Sequence, residues 1–135
     1  MSLACKEEFL QIWKKMMGRK DSEYFREPVD WEAMQLFDYP VIIKHPMDLT
    51  TVKKNLEKGV YKKPADLAAD VRLVFSNAMT YNAPNSKIYH MARTLSEFWE
   101  ENWAQIASAD DLIDRPPTME LLTEFVEKCH RYQMN

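Results

Sequence analysis

The sequence has only two glycines, Gly18 and Gly59, against seven prolines in 135 residues. A soluble chain of this length ordinarily carries about nine glycines. Glycine supplies the positive-φ positions that tight hairpins require, so their scarcity argues against an all-β fold. The two glycines also lie far apart, which removes any glycine-rich phosphate loop and with it the dinucleotide-binding and P-loop classes. What remains is a helical chain whose turns are made by proline and by short polar residues.

The apolar spacing agrees. Phe9, Ile12, Trp13 and Met16 fall at i, i+3, i+4 and i+7, which predicts an amphipathic helix over Leu3–Met17 capped by Gly18. From Arg19 to Met47 the helical period fails, and Pro28, Pro40 and Pro46 punctuate the stretch. It is nevertheless rich in large apolar residues, Tyr24, Phe25, Trp31, Phe37 and Tyr39 among them. Disorder requires low hydrophobicity, so an ordered loop packed on the domain is expected, and long ordered loops are commonly functional. Helical spacing returns after Asp48, a good N-cap, with Leu49, Val52 and Leu56 on one face and Gly59 at the end. Pro64 suits a first helical position and precedes Leu67, Val71, Val74 and Ala78, in a helix reaching Met79–Tyr81. Ser86 caps the next, with the stripe Ile88, Met91, Leu95 and Phe98, completed by Trp99, Asn102 and Ile106. Ser108–Pro117 reads as a turn, and Thr118 as the cap of a terminal helix running to Gln133. Short connections between these helices indicate an all-α bundle in one domain.

Eighteen basic and 21 acidic residues leave a net charge of −3, which disfavours direct binding to duplex nucleic acid. Cys5 and Cys129 have no CxxC spacing, and a chain this long needs no disulfide, so a reducing compartment is expected. No apolar run reaches the ~18 residues of a membrane span, and the N-terminus lacks the pattern of a secretory signal. Catalysis finds no foothold. His45, His90 and His130 are scattered, no serine sits in a Gly-x-Ser-x-Gly elbow, and Glu100–Glu101 and Asp110–Asp111 read as solvated faces or turn residues. On sequence physics alone, Asn82, before Ala83–Pro84, reads as a helix C-cap or turn former.

Four runs of residues carry a further signal. They are Phe25…Pro28-Val29-Asp30, Asp38-Tyr39-Pro40-Val41-Ile42-Ile43-Lys44, Pro46-Met47-Asp48-Leu49, and Val74-Phe75-Ser76-Asn77-Ala78-Met79-Thr80-Tyr81-Asn82. In order and spacing they resemble the motifs of bromodomains, over about Phe9 to Ile106. The resemblance implies a left-handed four-helix bundle, helices Z, A, B and C, with a long Z–A loop. The core would span residues 1–107, followed by a turn and C-terminal helical extension over 108–135. It also implies an acetyl-lysine pocket between the Z–A and B–C loops. There Asn82 would donate to the acetyl carbonyl and Tyr39 would reach it through an ordered water. Phe25 and Val29 would contact the acetyl methyl and lysine stem. Met34 and Leu36 would form the loop side, Tyr81 would line the pocket, and Ile88 would stand as gatekeeper.

The implied function is a non-enzymatic reader without cofactor, a nuclear monomer binding acetylated histone or other acetylated protein peptides. No nucleic-acid or membrane partner is expected. The competing expectation is a bromodomain-like scaffold that has lost ligand binding. Some positions depart from the family pattern. Glu23–Tyr24 stand where a Trp-Pro pair is common, Ala78 is smaller than usual, and Ser86–Lys87 replace frequent acidic residues.

Overall fold

The computed structural model describes the backbone of residues 1–114 and the side chains of residues 1–106. Among the described residues all regular structure is helical: α1 (Leu3–Met17), a 3₁₀ helix (Lys20–Phe25), α2 (Tyr39–Ile42), α3 (Leu49–Glu57), α4 (Pro64–Tyr81) and α5 (Lys87–Asp114). Helix α1 packs on α3 and α5, and α4 packs on the same two, which closes a four-helix bundle.

Local chemistry starts and stops these helices. The Ser2 hydroxyl accepts from the Cys5 N–H at 3.1 Å, and the Asp48 carboxylate accepts from the Thr51 N–H at 2.9 Å. Each satisfies a backbone donor that has no partner within its helix, which contributes about 1 kcal/mol. Pro64 opens α4 as expected. Helix α3 ends in a Schellman arrangement: Val60 N–H reaches the Asn55 carbonyl, Gly59 N–H reaches the Leu56 carbonyl, and Gly59 adopts φ 75°.

The core is a stack of side chains from the four long helices. Phe9 and Met16 (α1), Leu49 and Val52 (α3), Leu67, Val71 and Phe75 (α4), and Leu95 and Trp99 (α5) are all buried. Phe9 meets Trp99 edge-on at 5.9 Å, and Trp99 stacks on Trp103 at 5.0 Å. Burying each large apolar side chain contributes about 1.5–3 kcal/mol.

Three expectations need correction. The buried face of α5 is Ala92, Leu95, Trp99, Trp103 and Ile106, whereas Ile88, Met91 and Phe98 are half-buried. The inward face is turned from the expected stripe because the 3₁₀ helix covers part of α5, with the Arg19 guanidinium 4.7 Å from the Phe98 ring centre. The stretch Arg19–Met47 contains two short helices instead of loop alone. Neither exceeds two turns, too short for a 3.6-residue repeat to register. Finally, α5 continues to Asp114, across most of the stretch expected to turn at Ser108. Serine and aspartate lower helix propensity without stopping a helix. The expected helix Thr118–Gln133 lies outside the described residues.

Candidate functional site

One end of the bundle holds a cavity of about 300 Å³ between the long loop after the 3₁₀ helix and the α4–α5 connection. Phe25, Val29, Met34, Leu36 and Tyr39 line it from the loop side, and Tyr81, Asn82 and Ile88 from the helix side. All eight residues singled out from the sequence therefore meet in one place, although they span 63 positions of chain from Phe25 to Ile88 (88 − 25).

Helix α4 ends at this cavity because Asn82 leaves the helical region, with φ −95° and ψ 148°. Its backbone N–H and its side-chain amide both donate to the Ala78 carbonyl, at 3.0 and 2.9 Å. The C-cap role expected from local physics is therefore present. It uses one side-chain N–H, and an amide nitrogen carries two, so a second donor is available for a ligand.

Tyr39 begins α2 and is only 7% exposed. Its ring meets Tyr81 edge-on at 5.0 Å, and burial raises its phenol above the ordinary tyrosine range. The Tyr81 hydroxyl donates to the Asp38 carboxylate at 2.6 Å, and that bond is the main reason its pKa is also raised. Both phenols therefore keep their protons at neutral pH.

The loop is held by more than its apolar residues. Asp30 accepts from the Ala33 N–H at 3.2 Å and opens a single helical turn. Leu36 N–H then reaches the Trp31 carbonyl at 2.8 Å, and Gln35 closes the turn with φ 59°. Farther along, the Asn77 amide on α4 donates to the His45 carbonyl at 2.9 Å. Together with Tyr81–Asp38, this pins the loop to α4 at two points, and a wall tied in this way needs little ordering when a ligand enters.

Sequence reasoning missed several lining residues, including Pro28, Met47 and Val74. Val74 lies four residues before Ala78 on one face of α4, so the helical stripe carried its signal. Met47 lies in the Pro46-Met47-Asp48-Leu49 run that carries the family resemblance, but its place in the lining was not assigned from it. The carboxylates of Glu23, Glu27 and Asp30 are exposed at the rim. Among the described residues no group of His, Cys, Asp and Glu side chains could hold a metal ion. No described helix is long and apolar enough to cross a membrane.

The bromodomain family model matches residues 9–94, well over half of the chain. The chain belongs to the bromodomain family. Curated relatives agree. It is 47% identical over 95 residues to transcription factor GTE11 of Arabidopsis thaliana, covering 70% of this chain and 15% of that protein. It is 52% identical over 89 residues to transcription factor GTE2 of the same plant, covering 65% of this chain and 15% of that protein. It is 46% identical over 101 residues to the Arabidopsis protein named transcription factor GTE3, chloroplastic, covering 75% of this chain and 22% of that protein. The bromodomain thus corresponds to less than a quarter of the length of these relatives. The family binds acetylated lysine in peptides, and membership supports a reader role in chromatin and transcription.

Proposed function

We propose that this bromodomain binds acetyl-lysine in the cavity beside Asn82 and works as a non-enzymatic reader. The observation that carries the reading is the Asn82 amide, with a spare donor at the edge of a largely apolar cavity whose walls are Phe25, Val29, Met34, Leu36 and Ile88. Acetylation converts an ammonium into a neutral amide with one strong acceptor and a methyl group. Asn82 donates to the acetyl carbonyl, and Tyr39, buried and protonated, reaches the same oxygen through a water. Phe25 and Val29 cover the methyl and stem. Met34 and Leu36 form the loop side, Tyr81 holds the loop in place, and Ile88 narrows the entrance.

Discrimination comes mainly from rejecting charge. A made hydrogen bond contributes only about 0.5–1.5 kcal/mol net, whereas burying an unpaired ammonium costs several. The rim carboxylates are exposed and offer it no buried partner. The partners are acetylated histone tails or other acetylated proteins, bound by a monomer in the nucleus. The nuclear assignment rests on relatives named as transcription factors.

Calorimetry with acetylated histone-tail peptides tests this. Asn82→Ala is expected to abolish measurable binding while lowering stability by about 1 kcal/mol, since the side chain also caps α4. Unchanged affinity with a normal melting profile would overturn the assignment.

A further inference from the structure

A second, open cleft of about 490 Å³ adjoins the first and shares Glu23 with it. Its charged lining is Lys20, Asp21, Glu23, Arg26 and Lys87. Asp21 is already committed to Arg19, with both carboxylate oxygens bonded to the guanidinium at 3.0 and 2.8 Å. Three cations therefore face one uncommitted carboxylate. This is a local excess of positive charge in a chain whose net charge is −3.

Arg26 is the fixed part of this cleft. Its Nε donates to the Ser22 hydroxyl at 3.0 Å, and one terminal nitrogen donates to the Arg19 carbonyl at 2.8 Å. Ser22 is fully buried, and its own hydroxyl donates to the Arg19 carbonyl at 2.8 Å. The guanidinium is thus oriented by a buried network, and its other terminal nitrogen is left for an incoming acceptor. Lys20 and Lys87 form no ion pair among the described residues. Lys87 is the first residue of α5, whose first turn carries no carboxylate to neutralise it, and it precedes Ile88 of the acetyl-lysine cavity.

We propose that this cleft binds an anionic side chain, phosphoserine or an acidic residue, on the same peptide that places its acetyl-lysine beside Asn82. The inference rests on the acetyl-lysine reading and adds a second recognised group to it. The chemistry is charge-assisted hydrogen bonding from a pre-oriented guanidinium flanked by two exposed ammoniums. Phosphorylation supplies three acceptor oxygens and close to two negative charges. Glu23 stands on the ridge between the cavities and opposes an anion carried too close to the acetyl group, so the position of the second group along the peptide matters.

The test uses the full chain and synthetic peptides with one acetyl-lysine, each carrying phosphoserine, glutamate or serine at successive flanking positions. At one position phosphoserine is expected to tighten binding roughly three- to tenfold over serine, the size of one or two partly exposed charge pairs. The gain should shrink as salt rises. It should fall, to what Arg26 alone supplies, in the doubly substituted Lys20→Ser, Lys87→Ser chain, whose melting profile and affinity for the unphosphorylated acetyl-peptide stay as in the parent. An equal gain from glutamate assigns the cleft to carboxylates, and a much smaller one assigns it to phosphoryl groups. Phosphoserine without effect at every position, with acetyl-peptide binding intact, overturns the cleft and leaves the acetyl-lysine reading standing. Loss of binding to all acetylated peptides overturns both. A duplex oligonucleotide captured through Lys20 and Lys87, with no phosphoserine gain, makes the cleft a nucleic-acid contact and overturns the peptide assignment.

Discussion

The turn that ends α3 and the turn inside the cavity loop close with the same two backbone bonds but with different residues. After α3, Gly59 N–H reaches Leu56 and Val60 N–H reaches Asn55, at 3.1 and 3.0 Å. In the loop, Gln35 N–H reaches Glu32 and Leu36 N–H reaches Trp31, at 3.2 and 2.8 Å. The pivot is left-handed in both, φ 75° at Gly59 and φ 59° at Gln35. Glycine takes that conformation freely, whereas a side chain there costs about 1–2 kcal/mol. Each turn is followed by a tyrosine–aspartate bond of 2.6 Å, Tyr61 to Asp70 after the first and Tyr81 to Asp38 after the second. The first pair joins structural elements beside the core. The second ties down the wall of the cavity. Strain is thus tolerated at Gln35, whose neighbours Met34 and Leu36 line the site, and avoided at Gly59, where only a chain reversal is needed.

The contrast can be broken most forcefully at its strained member. Gln35→Pro forbids a positive φ and removes the N–H bonded to Glu32. It is expected to lower acetyl-peptide affinity at least tenfold, by about 1.4 kcal/mol or more. The melting temperature should fall much less, because the turn lies outside the core. An unchanged affinity by calorimetry would show that the turn does not shape the cavity.

Tyr61→Phe probes the other region and should act on stability alone, at about 1.5–3 kcal/mol for a hydrogen bond to a charged acceptor. Burial and the Asp70 bond raise the Tyr61 pKa above its usual value of 10.0. Its stabilisation is therefore complete below about pH 10 and is lost as pH rises toward the folded value. Denaturant titrations at neutral and strongly alkaline pH should show parent and variant converging at the alkaline end.

A smaller effect is expected from Gly59→Ala. No atom lies within 4 Å of the added Cβ, so the cost is backbone strain alone, about 1–2 kcal/mol, with peptide binding unaltered. The smallest is Gln35→Gly, which relieves strain but adds freedom to the unfolded chain. A net gain of about 0.5 kcal/mol in chemical denaturation is expected. A loss would mean that the Gln35 side chain contributes more than its conformation costs.

These two turns also mark how far the sequence could be read. The Leu3–Met17 helix, the Asp48 cap, Pro64 at the head of α4 and the end of α4 at Asn82 were legible, because each depends on neighbours within about four residues. Gly59 was legible as a terminator for the same reason. Gln35 was not, since glutamine carries no local preference for positive φ. The rotation of α5 toward Ala92 and Trp103 was also hidden, because a helix with apolar residues on several sides does not declare which side another element will cover. The eight cavity residues were named through resemblance to a family, and periodicity alone had left Asn82 as a cap. In the structure Asn82 is that cap and also a cavity-lining amide.

The scarcity of glycine and the spacing of apolar residues determined by themselves that this chain is a helical bundle with a proline-punctuated loop. Both are local properties, written in backbone freedom and helical repeat. Tertiary structure alone decided that Tyr81 bonds Asp38 across 43 positions, that Arg26 is held by a buried serine, and that two cavities meet at Glu23. Such contacts depend on how the four helices pack against one another, and no short window of sequence contains that information.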